Sequence, residues 1–140
     1  MILTASQEDY LESLFIITRS QSVARVKDVA GALKIRMPSV SAALKNLEKK
    51  GLLKHDHYGY IELTAEGEEI GSKIYETHLL LSDFLTRILK VSPKTAEHDA
   101  CLLEHDLSPE TRTCLIEFIN RLKEDKHFKN LWNKENIKEK

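Results

Sequence analysis

The sequence predicts a mainly α protein in two parts, a front part of three helices closed by a β-hairpin and a back part that is all helix. Three observations predict it. Apolar residues recur at helical spacing through most of the 140 residues, with only five Gly and three Pro to interrupt them. One β-prone stretch, "LLKHDHYGYIELT", breaks that pattern before the middle of the chain. After Thr64 the pattern resumes as long helix, broken only at Ser92-Pro93 and Ser108-Pro109. The parts are therefore residues 1–63 and 64–140.

Each element has its own signal. Ser6 followed by Asp9 opens the first helix in the manner of a capping box, and Leu11, Leu14, Phe15 and Thr18 mark its buried side as far as Ser20. "VKDVAGALKI" reads as a short second helix with Val26, Val29, Ala30 and Leu33 inward. Pro38 suits the first turn of a third helix that buries Val40, Leu44 and Leu47 and stops at Gly51. Tyr58-Gly59 supplies the turn of the hairpin. One long helix then runs from Thr64 towards Val91, with Ile70, Ile74, His78, Leu81, Leu85 and Ile88 along one side. Ser-Pro pairs open the next two helices, the Ser as cap and the Pro in the first turn. The last of these carries the seam Leu115, Phe118, Ile119 and Leu122. From Asp125 the chain is polar apart from Phe128, Leu131 and Trp132, and "NKENIKEK" is expected to fray.

Composition narrows the function. With 41% hydrophobic and 31% charged residues the chain is globular, and no stretch approaches the roughly 18 apolar residues that span a membrane. "MILTASQEDY" lacks the features of a secretory signal, so a cytoplasmic location is expected, with Cys101 and Cys114 as thiols. Net charge is −1, but residues 1–60 hold nine Lys/Arg against six Asp/Glu, a net of +3, and the remainder carries −4. A basic front and an acidic back is the asymmetry expected when only the front meets nucleic acid.

Two short helices joined by a tight turn, then a β-hairpin, make a winged helix-turn-helix. Its second helix-turn-helix helix would enter the major groove of double-stranded DNA and offer Arg36, Pro38, Ser39, Ser41 and Ala42 to base edges, with Lys45 one turn on. Arg25, Lys27, Lys49 and Lys54 would neutralise phosphates.

The back part contains "DACLLEHDLS". At about 100° per residue, Glu97, His98, Cys101, Glu104 and His105 share one arc of a helix, while Ala96, Ala100, Leu103 and Leu107 share another. A polar arc is usually solvated surface, but a thiol rarely decorates such a face. Asp9 and Glu12 share a face of the first helix, where acids also stabilise a first turn. His78 lies on an apolar line, where a hydrogen-bonded core histidine is the ordinary reading. Together, three segments offer carboxylate, imidazole and thiolate, a set suited to a borderline divalent transition metal and not to Mg²⁺ or Ca²⁺.

"SQEDYLESLF", "VKDVAGALKIRMPSVSAALKNLEKKGLL", "YIELTAEG", "THLLLSDFL" and "DACLLEHDLS" together resemble the diphtheria toxin repressor (DtxR/MntR) family, in its compact two-domain form. The resemblance spans roughly residues 4 to 122. It implies an iron- or manganese-dependent transcriptional repressor, dimeric, with an N-terminal DNA-binding domain and a helical dimerisation and metal-binding domain. It carries Asp9 and Glu12 over as first-helix ligands, His78 as the long-helix ligand, and Cys101, Glu104 and His105 as ligands of the next helix. Asp9 is the manganese-type choice and Cys101 the iron-type choice, so the site is a hybrid. Ser82 and Glu97 replace the carboxylate and histidine of an ancillary site in iron-type members. The expected function is repression by a homodimer that binds operator DNA when Fe²⁺ occupies the site, with Mn²⁺ the alternative and Zn²⁺ or Co²⁺ binding in vitro. Two rivals remain in view. One is a winged-helix regulator indifferent to metal. The other is an enzyme with Cys101 as nucleophile and His105 as base, against which stands the want of any Gly-rich loop or oxyanion donor.

Overall fold

A computed structural model describes residues 1–133, and the predicted fold class holds. The chain divides into two compact units, Met1–Tyr75 and the part from Glu76 onward.

The first unit contains α1 (Ala5–Gln21), α2 (Val26–Leu33), α3 (Met37–Lys49), β1 (Leu53–His55), β2 (Ile61–Leu63) and the first part of α4 (Ala65–Asp83). The capping box of α1 is Thr4 with Gln7, not Ser6 with Asp9. The Thr4 hydroxyl accepts from the Gln7 amide at 3.2 Å, and the Gln7 side chain accepts from the Thr4 amide at 3.1 Å. Thr4 has the extended backbone of a cap (φ −78°, ψ 158°), whereas Ser6 already lies inside the helix. Between α2 and α3 the chain turns through Lys34 in the left-handed region (φ 54°), closed by Ile35 N–H donating to the Ala30 carbonyl at 3.1 Å. Pro38 sits in the first turn of α3, and Gly51 (φ 77°) lets the chain leave it.

The antiparallel strands pair Leu53 with Leu63, Lys54 with Glu62 and His55 with Ile61. Asp56 fixes the turn, its Oδ1 accepting from the amides of Tyr58 and Tyr60, both at 2.8 Å, while Gly59 takes φ 83°. Ala24 bridges to Ile61, tying the α1–α2 link to the wing. Leu11, Leu14, Val29, Val40, Leu44, Leu47, Leu52 and Ile61 are wholly buried at the centre. Gly67 brings the start of α4 against this core, since a Cβ there would lie 1.9 Å from the Leu52 carbonyl oxygen.

The second unit holds the rest of α4, a π-helical turn (Phe84–Ile88), α5 (Pro93–Asp106), α6 (Pro109–Glu124) and α7 (Lys126–Asn133). Ser92 and Ser108 cap α5 and α6 through the amides of Thr95 and Thr111. Leu81, Leu85, Ala96, Ala100, Ile119 and Trp132 form the core.

Two features depart from expectation. Regular helix ends at Asp83; beyond it Leu89 N–H reaches back five residues to Phe84, and the Thr86 hydroxyl donates to the Ser82 and Asp83 carbonyls. The tail also forms a helix, α7, that inserts Trp132 into the core. Arg87 donates to the Trp132 carbonyl, and the Lys123 ammonium lies 5.0 Å from its ring centroid. Of the "NKENIKEK" stretch, residues 134–140 lie outside the described residues. No described helix is long and apolar enough to cross a membrane.

Candidate functional site

The residues singled out by sequence lie on α3 and its neighbours and on α1 in the first unit, and on α4 and α5 in the second.

In the first, α3 presents a surface of small and basic side chains. Arg36, Pro38, Ser39, Ala42, Lys45 and Lys49 are exposed and Ser41 is half-buried, while the opposite side of the helix buries Val40, Leu44 and Leu47. The helical period thus separates packing residues from candidate base-reading residues along one element. Lys27 and Lys54 are exposed on α2 and β1. Arg25 is held more tightly than sequence indicated, its guanidinium 4.6 Å from the Tyr60 ring centroid and donating to the Tyr60 hydroxyl at 2.8 Å. The arginine therefore fastens the wing to the start of α2, as well as adding positive charge. Tyr58, 79% exposed at the tip of the wing, was missed by sequence reasoning, although its place beside the turn glycine was the available signal.

Asp9 and Glu12 lie on α1 and are half-buried. Because α1 begins at Ala5, both lie beyond the first turn, whose acid is Glu8. The capping and dipole explanation of these two acids therefore falls away.

In the second unit the polar arc of α5 is not a uniformly solvated face. Glu104 is 2% exposed and Cys101 and His105 are half-buried, whereas Glu97 and His98 are exposed. Cys101 Sγ and a ring nitrogen of His105, one turn apart, lie within 4.8 Å of each other. His98 pairs with its neighbour Asp99 at 3.2 Å. His78, buried on α4, has a carboxylate on each ring nitrogen: Nδ1 is 3.2 Å from Glu104 Oε2, and Nε2 is 2.9 Å from Glu97 Oε1.

The chemistry of that trio is unbalanced. Ionised carboxylates only accept hydrogen bonds, and a neutral imidazole has one N–H to give. One of the two contacts therefore needs a further proton or a cation. Glu104 Oε1 is buried with no hydrogen-bond partner, which adds negative charge in search of compensation. Imidazole, carboxylate and a nearby thiol are donors that fit a divalent transition ion. The pairing of Glu97 with His78 was not foreseen, because no sequence spacing relates residues on different helices.

A family model described as "Iron dependent repressor, N-terminal DNA binding domain" matches residues 2–61, and one described as "Iron dependent repressor, metal binding and dimerisation domain" matches residues 64–133. The HTH-type transcriptional regulator MntR of Geobacillus thermodenitrificans is 36% identical over 105 residues, covering 75% of this chain and 74% of the relative. MntR of Lysinibacillus sphaericus is 34% identical over the same length, covering 75% of each chain. Among solved structures, the manganese regulator SloR aligns with a TM-score of 0.69 at 27% identity, over 86% of this chain and 55% of that one. IdeR of T. acidophilum shares the fold, with a TM-score of 0.70 at 20% identity over 85% of this chain and 56% of its own. This chain thus spans about half the length of those solved chains.

Proposed function

The chain belongs to the iron-dependent repressor family of metal-dependent transcriptional repressors, and from that premise we propose that it binds operator DNA as a homodimer when Fe²⁺ is bound. It is a DNA-binding regulator and not an enzyme. The observation that carries the metal reading is the buried His78–Glu104 pair, with a carboxylate oxygen that no hydrogen bond satisfies. The proposed ligands are Asp9 and Glu12 of α1, His78 of α4, and Cys101, Glu104 and His105 of α5. Support comes from their residue types, from the partial burial of both α1 acids beyond the capping turn, and from the resemblance of their positions.

A divalent cation bound there supplies positive charge and coordination bonds. The chain supplies the difference between two states. Without compensation, the carboxylates of Asp9, Glu12 and Glu104 and any thiolate at Cys101 repel one another, and α1 is loosely placed. With compensation, the same groups hold α1, and hence the winged unit, at a spacing that matches an operator. Only such a difference in binding between states shifts their populations. Exposed Leu79, Leu102 and Phe118 supply apolar surface for the second copy. Leu81, Leu85 and Ile119 are not available for that role, because they are buried in the core of the second unit.

Fe²⁺ follows from Cys101, since thiolate is the softest donor of the set. Mn²⁺ is the second reading, favoured by Asp9 and Glu12 and by relatives named as manganese regulators. Zn²⁺ or Co²⁺ would bind in vitro, and a cytoplasmic location fits a DNA-binding regulator. The test is selection of DNA from a random pool with metal-loaded protein, then gel-shift titration with Fe²⁺, Mn²⁺ and Zn²⁺ under anaerobic reducing conditions. Binding should require metal and saturate at a lower free concentration with Fe²⁺ than with Mn²⁺, with Zn²⁺ binding at least as tightly as Fe²⁺ because affinity rises along the divalent series. Tight, sequence-selective binding in chelator would contradict the metal reading.

A further inference from the structure

We propose that Glu97 is a positioning residue for the metal site, holding the His78 ring with its proton on Nε2 so that Nδ1 is presented as a ligand atom beside Glu104. The inference rests on the metal reading of His78 above. Three observations carry it. Glu97 Oε1 is 2.9 Å from Nε2, the closer of the two carboxylate contacts on the ring, and the nitrogen it faces is the one turned away from Glu104. The two contacts lie on opposite sides of the imidazole, so a carboxylate at Nε2 cannot share an ion held at Nδ1. The two carboxylates also differ in setting. The Glu104 side chain is 3% exposed, whereas that of Glu97 is 70% exposed and stays solvated while its tip meets the ring.

The helix makes this division of labour possible. Glu97, Cys101 and Glu104 recur at four and three residues along α5, on one face of one rigid element. That element brings an outer carboxylate to the far nitrogen of His78 and an inner one to the near nitrogen. A ligating histidine commonly donates its other N–H to a carboxylate, which fixes tautomer and ring orientation and raises the basicity of the ligating nitrogen. Glu97 stands where iron-type family members place an ancillary histidine, a position that suggests a metal ligand by resemblance. Here the geometry points to a hydrogen-bond acceptor behind the ligand.

The test uses the full chain and four proteins: wild type, Glu97→Ala, Glu97→Gln and His78→Ala. Mn²⁺ binding is titrated by electron paramagnetic resonance, which reads affinity and the number of ions bound. The His78 tautomer is read from imidazole ¹⁵N shifts, in metal-free and Zn²⁺-loaded protein. Glu97→Ala should weaken Mn²⁺ binding about 10- to 100-fold with no ion lost, and should leave His78 as a mixture of tautomers. Glu97→Gln should restore affinity close to wild type and keep the Nε2–H form, because the amide oxygen still accepts. Loss of a bound ion, with Gln as damaging as Ala, would make Glu97 a ligand and overturn the proposal. Unchanged affinity and tautomer in Glu97→Ala would reduce the contact to a surface ion pair, which also overturns it. If His78→Ala leaves Mn²⁺ binding intact, the metal reading of His78 fails and this inference with it. If His78→Ala weakens binding while Glu97→Ala does not, only the inference about Glu97 fails.

Discussion

The two units bury different things. The first encloses Leu11, Leu14, Leu44, Leu47, Leu52, Val29, Val40 and Ile61 at zero exposure, a branched apolar core knitted from three helices and a hairpin. The second has a core of two alanines, Leu81, Leu85, Ile119 and Trp132, and it buries His78 and Glu104 as well. It also leaves Leu79, Leu102 and Phe118 at 44%, 47% and 54% exposure. Burial of branched side chains is directly stabilising, whereas a buried carboxylate with an unsatisfied oxygen is a cost until charge compensates it. The difference teaches where regulation can reside. The DNA-reading unit is built to keep its shape, and the unit with buried charge is built to respond.

The largest expected effect tests the first half of that contrast. Leu44→Ala removes a fully buried side chain from α3 and should cost about 2–5 kcal/mol of stability, by an amount that metal does not alter. Urea unfolding of variant and wild type, each with and without Mn²⁺, checks it. A loss rescued by metal would erase the distinction between the units.

Next come substitutions in the charged pocket. Glu104→Gln and His105→Ala should each weaken DNA binding induced by every metal, beyond the roughly 10- to 100-fold seen for outer partners of a ligand. In chelator, Glu104→Gln should instead be as stable as wild type or more so, by up to about 1–3 kcal/mol, since it removes a buried carboxylate with an unsatisfied oxygen. Thermal unfolding in chelator and gel shifts in metal together read this opposition of sign. Equal losses in both would mean that Glu104 serves only to hold the fold.

How far these features were legible in sequence follows the same division. The first unit was nearly all visible, because its elements are set by local signals: Pro38 and Gly51 bound α3, and Tyr58-Gly59 sets the turn. Its one misplacement, the capping box, arose because Thr4 and Ser6 both offer a hydroxyl with an acceptor three residues on, and only the backbone, extended at Thr4 and helical from Ala5, separates them. In the second unit the Ser-Pro starts of α5 and α6 were readable for the same reason. The π-helical turn was not, since the backbone's change to a five-residue pairing at Leu89 leaves no mark in the residue types. α7 has Phe128, Leu131 and Trp132 at helical spacing, but a short polar segment gains its helix from what Trp132 packs against. The candidate ligand types were legible as a pattern on α5; the pairing of Glu97 with His78 was not, because it joins two helices through space.

A smaller effect sharpens the chemistry of the responsive unit. Cys101→Glu should move the ratio of Fe²⁺ to Mn²⁺ activation towards Mn²⁺ by about tenfold, or about 1.4 kcal/mol, with the fold intact. The check is operator binding against free metal, anaerobic and reducing. An unchanged ratio would make the half-buried thiol a bystander. The smallest effect belongs to the unit that keeps its shape. Lys27→Ala or Lys49→Ala should weaken all DNA sequences about equally and reduce the salt-dependence slope by about one, in fluorescence anisotropy over a series of salt concentrations. A change of sequence preference would show that these exposed lysines read bases.

Amide hydrogen exchange, with and without saturating metal, tests the contrast between the units most directly. Protection should rise at α5, at the second half of α4 and around Asp9 and Glu12 of α1, while α3 and the hairpin exchange at unchanged rates. No gain at α5, or an equal gain across α3, would contradict the account.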